Sequence, residues 1–401
     1  MSGDRGQQMA TADVVIIGGG VNGTSTAFRL AEAGVKNIVV VERAHLGSGA
    51  SGKSGALVRM HYTNPYESKL AYESLKVFQN WGEIVGGDCG FEKIGFFQIV
   101  APEYEAQLRR NIEDQQKIGI DARVIPASGL KELEPEANVE GLTVVGYEPS
   151  SGFADPNATT YAFAKRAAEL GVHFMLQTTV TAIRTERERV VGVDTTAGPI
   201  DAPVVVLAGG AWADRLLKPL GLDLGLTSYR SQVVIFRRPF GTSGPRHVFI
   251  DTIVNSWFRP EGDNGILIGA ESGGTGVDPD SFDEALDGPQ IELAREKLAK
   301  RFPAIREATM RGGWAGMYML SPDHHPIIDQ PPEVPGLFIM AGDSGTSFKT
   351  SPAIGMCLSE WITGGEPVTA DLTPFRASRF AEGKPWHDET NYGYRGRTIS
   401  R

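Results

Sequence analysis

The segment DVVIIGGGVNG at residues 13–23 joins a short apolar run directly to a glycine-rich turn. The run is rich in β-branched residues, which is typical of a strand buried in a parallel sheet. Residues 24–33 carry a helical pattern that ends at Gly34, and residues 37–41 predict a second strand that ends in Glu42. This order of strand, glycine-rich turn, helix and strand predicts one complete βαβ unit.

The glycine spacing Gly18-x-Gly20-x-x-Gly23 indicates that the unit binds a ligand. Gly18 permits the tight turn out of the strand, Gly20 lets a pyrophosphate approach the helix N-terminus, and Gly23 lets the helix pack closely on the strand. Glu42 is placed to accept hydrogen bonds from a ribose. The pattern predicts a dinucleotide site, but it does not separate FAD from NAD.

The composition limits the class of protein. The chain has 401 residues, which favours two intertwined or consecutive domains. Its net charge of -10 argues against nucleic acid, and no apolar stretch approaches the ~20 residues that a membrane helix needs. Residues 1–12 lack the apolar core of a signal peptide, and Cys89 and Cys357 are the only cysteines. We therefore expect a reducing cytoplasm, no disulfide framework and no metal site.

Segments along nearly the whole chain resemble one family of flavoenzymes. They are VVIIGGGVNGTSTAFRLAEAG with VVVER, GSGASGKSGALVR at 47–59, TTVTAI at 178–183, VVLAGGAWA at 205–213, and the C-terminal PDHHPIID and AGDSGTSFKTSPAIG. Together they resemble the glycine oxidase, sarcosine oxidase and D-amino-acid oxidase group, and within it monomeric sarcosine oxidase and the β subunit of the heterotetrameric sarcosine oxidases. The resemblance implies that the dinucleotide is FAD.

The fold that this resemblance implies is α/β, with a Rossmann-type FAD-binding domain built from discontinuous segments and a mixed-sheet α+β substrate domain. The expected FAD-binding segments are 12–86, 150–225 and 330–380, the expected substrate segments are 87–149 and 226–329, and 381–401 is a C-terminal extension. Residues 226–275 predict an antiparallel sheet, and the polar residues after about 380 are expected to extend along the surface.

The resemblance also assigns FAD contacts, which fall in four regions. Around the βαβ unit they are Gly18, Gly20, Val21, Asn22, Gly23, Glu42 and Arg43. The loop that resembles the wrap around the pyrophosphate and isoalloxazine contributes Ser48, Ser51, Gly52, Lys53 and Ser54. The adenosine side is expected at Val180, Ala208 and Gly209. The loop at the pyrimidine end of the flavin, where amides and a cation stabilise negative charge, contributes Gly342, Gly345, Thr346, Ser347, Phe348 and Lys349.

Three residues are candidates for work at the reacting end of the flavin. Arg59, in LVRMHY, matches the arginine that holds the substrate carboxylate in sarcosine oxidase, and a planar guanidinium binds a carboxylate through two hydrogen bonds. Tyr318, in GMYML, matches an active-site tyrosine. The alternatives are a surface ion pair for Arg59, a packed core tyrosine for Tyr318, and a surface or helix-capping lysine for Lys349.

Four further side chains are candidates to line the same site: His61, Tyr62, His324 and His325. A single histidine in a sequence is more often structural than catalytic, so each also has a structural interpretation.

The chain departs from the sarcosine oxidase pattern at three positions. Gly316 stands where monomeric sarcosine oxidase bonds its flavin to a cysteine, so non-covalent FAD is expected. Leu267 stands where relatives have the lysine credited with oxygen activation, which puts fast oxygen use in doubt. Glu271 replaces a family histidine, and it is interpreted either as a contact to a cationic group of the substrate or as a carboxylate at the pocket rim.

The resemblance therefore predicts an FAD-dependent amine or amino-acid oxidase or dehydrogenase. The expected reaction takes a hydride from the carbon beside the nitrogen of a small secondary or N-alkyl amine or amino acid to flavin N5, and the imine then hydrolyses. One alternative is a dehydrogenase of a D-amino acid or hydroxy acid that uses an acceptor other than oxygen. Another is a flavoprotein subunit of a multi-chain oxidase, and a homo-oligomer is also open.

Overall fold

The computed structural model describes residues 10–270 and 273–393. Its strands are, in chain order, β1 Ala10–Thr11, β2 Val14–Ile17, β3 Ile38–Val41, β4 Leu57–Val58, β5 Phe96–Ile99, β6 Arg123–Pro126, β7 Val144–Glu148, β8 Gly152–Phe153, β9 His173–Met175, β10 Val180–Glu186, β11 Arg189–Thr195, β12 Ile200–Asp201, β13 Val204–Leu207, β14 Thr227–Arg237, β15 Val248–Asp251, β16 Ser256–Glu261, β17 Gly265–Gly269, β18 Gly274–Thr275, β19 Thr309–Leu320, β20 Ile327–Asp329 and β21 Leu337–Ala341. Its α-helices are α1 Val21–Glu32, α2 Pro65–Gln79, α3 Trp81–Ile84, α4 Glu105–Ile118, α5 Ala127–Leu133, α6 Pro156–Glu169, α7 Ala213–Leu217, α8 Gly288–Arg301, α9 Ser351–Gly364 and α10 Ser378–Ala381.

The glycine-rich turn follows β2, a central strand of a six-stranded sheet in the order β20-β21-β13-β2-β3-β9. The strands from β21 to β9 run parallel, and β20 pairs antiparallel at the edge. All four residues of β2 are buried, as expected for the middle of a parallel sheet that is covered on both faces. The predicted βαβ unit of β2, α1 and β3 is therefore present.

The two faces of this sheet carry different layers. Val14 and Ile16 belong to the same core as Ala27 and Leu30 of α1, and α1 packs between α6 and α9. The alternate residue Val15 packs with the opposite layer, a four-stranded sheet in the order β1-β12-β11-β10. The result is a three-layer α/β unit whose central strands end at the glycine-rich turn.

A second, nine-stranded sheet runs β18-β14-β17-β16-β15-β5-β7-β6, with β19 paired to the long strand β14. Neighbours pair antiparallel except β15 and β5, which run parallel. The sheet is therefore mixed, and the expected antiparallel region at 226–275 holds for the pairs within that range. Helix α8 covers one face over a core that includes Phe249, Phe258 and Phe302. Strand β19 was absent from the sequence-based prediction.

Two features differ from the expected organisation. Strand β20 pairs with β21 in the first sheet, although the expected boundary at 329 assigned it to the second. The segment after 380 does not simply run along the surface, because Tyr392 is 3% exposed in the core that contains α1 and α2. The sequence suggested an exposed tail because polar residues flank the buried aromatic ones.

Within residues 10–270 and 273–393, no helix has the length and apolar character needed to cross a bilayer.

Candidate active site

A cavity of about 480 Å³ lies where the carboxyl ends of β2, β3 and β13 face the second sheet. Open α/β sheets bind ligands outside the carboxyl ends of their strands, so the cavity occupies the position that this fold uses for ligands. Most of the residues assigned from sequence line it. They are Gly18, Gly20, Val21, Asn22, Glu42, Arg43, Ser48, Ser51, Lys53, Ser54, Arg59, Val180, Ala208, Gly209, Tyr318, Gly342, Gly345, Thr346, Ser347, Phe348 and Lys349.

The glycine-rich turn has the geometry that its spacing predicts. Gly18 has φ +108°, and a Cβ there would lie 2.3 Å from the carbonyl oxygen of Ala208. A Cβ on Gly23 would lie 2.0 Å from the carbonyl oxygen of Gly18, so the helix and the turn touch through bare backbone. A Cβ on Gly20 would meet Ser51 Oγ at 3.0 Å, in the wall of the cavity. The N-terminus of α1 thus faces the cavity, which suits an anion.

Glu42 is fixed beside this turn by backbone hydrogen bonds. Its Oε2 accepts from the Gly19 N–H at 2.7 Å and its Oε1 from the Ala44 N–H at 2.8 Å. The carboxylate is 7% exposed and lines the cavity. Each carboxylate oxygen can accept more than one hydrogen bond, so Glu42 retains capacity for a ribose hydroxyl.

A group of charged and aromatic residues closes one end of the cavity. Arg43 lies over the ring of Trp212, with its Cζ 4.4 Å from the centroid. Asp280, from the loop after β18, accepts from Arg43 at 2.8 Å, from Trp212 Nε1 at 2.7 Å, and from Arg215. Hydrogen bonds from Arg215, and then from Trp212 and Arg43, hold the pKa of Asp280 far below its usual range. Asp280 therefore stays ionised and joins the two sheets at this end.

A chain of polar contacts joins α1 to the loop after β21. Asn22 Nδ2 donates to Ser347 Oγ at 3.0 Å, and Ser347 Oγ donates to Asp343 at 2.8 Å. Gly345 has φ +79°, and a Cβ on it would lie 3.0 Å from Cζ of Tyr318. This close approach sets the half-buried Tyr318 ring against the loop. The backbone of the C-terminal loop thus positions a side chain of the second sheet.

Arg59 is buried at the opposite end from Asp280, with 2% exposure. Its Cζ lies 4.5 Å from the centroid of the Tyr62 ring and 5.8 Å from that of Phe96. Lys349, also buried, has its Nζ 5.1 Å from the same Tyr62 centroid and donates to the Thr346 carbonyl at 3.1 Å. The interpretations of Arg59 as a surface ion pair and of Lys349 as a surface lysine are therefore wrong.

His61 lies behind Arg59 and is uncharged at neutral pH. Burial, and then the positive charge of Arg59, lower the pKa of His61 to about 3. Gln115 Nε2 lies 3.0 Å from Nδ1, and the Tyr392 hydroxyl lies 2.6 Å from Nε2. Because an amide NH₂ can only donate, Nδ1 accepts and Nε2 carries the proton. The C-terminal segment therefore contributes to the support of Arg59.

Glu148 is a second buried group beside Arg59. Its Oε2 accepts from the Met60 N–H at 2.9 Å and from the Ser151 hydroxyl at 2.6 Å. Burial raises the pKa of Glu148 above its usual value, although Arg59 and these hydrogen bonds act in the opposite direction. Glu148 thereby fixes the backbone next to Arg59.

Several residues assigned from sequence lie elsewhere. Among the described residues that line the cavity, Gly23, Gly52, His61, Tyr62, His324 and His325 are not included. Gly23 and Gly52 shape the loops from behind, because a Cβ on Gly52 would lie 2.6 Å from the Gly47 carbonyl oxygen. His325 Nδ1 lies 2.9 Å from Glu67, and its ring stacks on Trp386, so it is part of a separate buried cluster.

The three residues that depart from the sarcosine oxidase pattern lie in different places relative to the cavity or to the described residues. Gly316 lines the cavity, and a Cβ on it would lie 3.1 Å from Cβ of Lys53. Leu267 is 1% exposed and is not among the cavity-lining residues described. Glu271 lies outside the described residues, so its expected role stays a prediction.

Sequence reasoning missed several cavity residues, among them Trp212, Asp280, Ile250 and Trp257. The motif VVLAGGAWA contained Trp212 and could have pointed to it. No sequence signal separates Ile250 and Trp257 from other apolar strand residues, because only strand pairing brings them to the cavity.

The chain belongs to the FAD dependent oxidoreductase family (DAO), whose model matches residues 13–361. It is an α/β FAD-dependent oxidoreductase, and its family acts on amines and amino acids.

Among its relatives, the sarcosine oxidase subunit beta of Rhodobacter capsulatus is 25% identical over 93% of this chain and 89% of the relative. The glycine oxidase of Geobacillus kaustophilus is 29% identical over 92% of this chain and 97% of the relative. The crystal structure of L-proline dehydrogenase from P. horikoshii has a TM-score of 0.86 at 26% identity, and the match covers 94% of this chain and 99% of that one.

Proposed function

We propose that the chain oxidises a carbon–nitrogen bond of a small secondary or N-alkyl amino acid, and that the imine product then hydrolyses. The observation that carries the proposal is the buried guanidinium of Arg59 in the cavity that begins at the glycine-rich turn. A carboxylate suits such a group, because charge-assisted hydrogen bonds are strong and bidentate geometry fixes orientation. The names of the relatives, which refer to sarcosine, glycine and L-proline, support an amino-acid substrate.

The residues around the cavity fit FAD. The N–H groups at the start of α1 would hold the pyrophosphate, Glu42 would hold the ribose, and Arg43 with Trp212 would lie at the adenine end. The missing side chain at Gly20 leaves the space that a phosphate needs. When bound, FAD supplies the hydride acceptor, which no protein side chain can replace.

The chain's own residues bind and orient the substrate. Arg59 would hold the carboxylate, and stacking on Tyr62 keeps the guanidinium in one plane. Because His61 is uncharged, it adds no further positive charge beside Arg59. Lys349, whose Nζ lies 5.1 Å from the centroid of the same ring, would supply a second cation where negative charge develops on the cofactor. The amine only has to lose its proton before the hydride leaves, so no strong base is needed.

Replacing Arg59 tests the carboxylate role. A charge-assisted hydrogen bond contributes about 1.5–3 kcal/mol, or about 10- to 150-fold in binding. Arg59→Ala should therefore weaken the binding of N-methylglycine by at least about tenfold and leave the binding of N-methylethylamine, which has no carboxylate, nearly unaffected. Anaerobic bleaching of the flavin measures both, with Arg123→Ala, an exposed arginine paired to Asp121, as the control. Equal losses for the two amines would remove Arg59 from this role.

The FAD is proposed to be non-covalent, because Gly316 offers no thiol next to Lys53 at the position of the family's linking cysteine. Acid denaturation followed by filtration should leave the polypeptide colourless. Yellow colour retained on the protein would contradict this proposal.

Two other assignments remain candidates. The case for a dehydrogenase that uses an acceptor other than oxygen rests on the sequence position of the apolar Leu267, which is not among the described cavity-lining residues, whereas Lys53 and Lys349 line the cavity and favour an oxidase. Slow reoxidation by oxygen in stopped flow would support the dehydrogenase. Fast reoxidation that Lys349→Met slows would assign the charge to Lys349. A role as subunit of a larger oxidase is supported by the Rhodobacter relative, and gel filtration with activity assays of the chain alone tests it.

A further inference from the structure

One wall of the cavity is a row of paired residues that crosses the second sheet. Ile250 lies opposite Trp257, Trp257 opposite Gly269, and Gly269 opposite Val233. Residues that pair directly across strands project their side chains from the same face. Ile250, Trp257 and Val233 accordingly all line the cavity. The row presents hydrocarbon and one indole to the ligand space.

The indole of Trp257 is held in a slot between two glycines. A Cβ on Gly55 would lie 2.1 Å from Cη2 of Trp257, and a Cβ on Gly269 would lie 2.3 Å from its Cε2. Neither glycine could carry a side chain with the ring in this position. Arg259 Nε donates to the Gly55 carbonyl at 2.8 Å and so fixes one side of the slot. The ring therefore has one orientation.

The same wall adjoins the guanidinium of Arg59. Phe96, which lies 5.8 Å from Arg59 Cζ, belongs to one small apolar cluster with Ile250, and Trp257 and Leu57 pack against that cluster. Leu57 also lines the cavity, and it precedes Arg59 by two positions. A molecule whose carboxylate is bound by Arg59 would thus have an apolar surface beside it.

Within the row of paired residues, the accessible part belongs mainly to the indole. Ile250 is 2% and Val233 5% exposed, whereas Trp257 is only half-buried although it packs on a core cluster. We propose that Trp257 is a specificity-determining residue that forms a hydrocarbon subsite, so that amino acids with an ethyl group or larger on the nitrogen or α-carbon are preferred over glycine and sarcosine. This inference rests on the proposed carboxylate-binding role of Arg59.

The size of the preference follows from the transfer of hydrocarbon out of water. Each methylene buried on the wall contributes about 0.8 kcal/mol, which corresponds to about fourfold in affinity. This gain in affinity per methylene should continue until the ligand fills the space beside the indole.

Straight-chain acids test the subsite without any turnover. The FAD-loaded protein is titrated with acetate, propionate, butyrate and pentanoate, and the perturbation of the flavin absorbance gives each Kd. For the wild type, the Kd should fall about fourfold with each added methylene over the first members of the series. Trp257→Ala, and Trp257→Gln, which refills the slot with a polar side chain, should reduce the increment below about twofold and leave acetate nearly unchanged. Trp361→Ala, at a half-buried tryptophan that packs on Phe338 away from the cavity, is the matched control.

A wild-type Kd that is equal for all four acids would overturn the inference, and so would an increment that both Trp257 variants retain. The proposed function fails in a different way. If Arg59→Ala leaves acetate binding unchanged, the carboxylate role is lost, but a chain-length increment that depends on Trp257 would still identify the hydrocarbon subsite.

Discussion

The two ends of the cavity differ in how far their charged and titratable side chains are exposed to solvent. At one end Arg43, Arg215 and Asp280 form ion pairs whose side chains are 40–48% exposed. At the other end Arg59, His61 and Glu148 are at most 2% exposed. Exposed pairs are screened by water and salt and contribute about 0–1 kcal/mol, even where hydrogen bonds lower a pKa as at Asp280, whereas burial itself shifts the pKa values of His61 and Glu148. The exposed end can therefore exchange partners easily, and the buried end is fixed before any substrate arrives.

The largest effect is expected at the glycine-rich turn, where the cofactor's pyrophosphate is proposed to bind. Gly20→Val should abolish FAD binding, because a β-branched side chain would fill the space beside Ser51 that the pyrophosphate needs. FAD content per polypeptide, from absorbance after denaturation, measures it. Gly288→Val, at the first position of α8 with open space around it, is the control. Full FAD occupancy in purified Gly20→Val would contradict the cofactor placement.

The buried end should make the protein sensitive to acid through His61. Its pKa is about 3 in the folded protein and about 6.5 unfolded, so the unfolded state binds the proton first as the pH falls. Stability from this group is present above about pH 6.5 and is lost as the pH falls toward 3.

The corresponding test compares His61→Gln with the wild type in urea unfolding at pH 7.5 and pH 5. The advantage of the wild type over the variant should shrink by about 1–2 kcal/mol between the two, since each pH unit contributes about 1.4 kcal/mol at most. His173→Gln, at an exposed histidine, should show no such change. An equal difference at both pH values would mean that folding does not lower the pKa of His61.

The smallest effect is expected at the exposed end. Asp280→Asn removes the charge that holds Arg43 and Arg215, and it should raise the Kd of FAD by no more than about fivefold. The difference should vanish in 1 M salt, where the screening length is about 3 Å. Asp278→Asn is the control, because among the described ion pairs Asp278 pairs with Arg215 and not with Arg43, and its other hydrogen bonds, from the Asp280 N–H and the Ser281 hydroxyl, are ones that asparagine can still accept. A loss of FAD that salt does not alter would show that Asp280 acts as a buried group.

The start of the FAD-binding part could be predicted because its signals lie close together in the sequence. The β-branched run, the glycine spacing and Glu42 lie within residues 13–42, and each residue's task depends on its chain neighbours. Strand β19 was missed because Gly312, Gly313 and Gly316 interrupt its alternation, and pairing along β14 stabilises it instead. Burial of Tyr392 was missed because the groups that bind it, His61 and Asn111, lie far away in sequence.

The sequence by itself determined the βαβ unit with its glycine-rich turn, because these depend on near neighbours and on a motif that the backbone geometry requires, and motifs spread along the chain indicated the family. Only the tertiary structure decided which further residues complete the wall of the cavity. Trp257 reaches the cavity through strand pairing with Ile250 and Gly269, and its ring is held by Gly55, about two hundred positions earlier in the chain. Asp280 likewise reaches Arg43 only because the two sheets meet. Such contacts depend on strand register and close packing over long sequence separations, and no local pattern of residues encodes them.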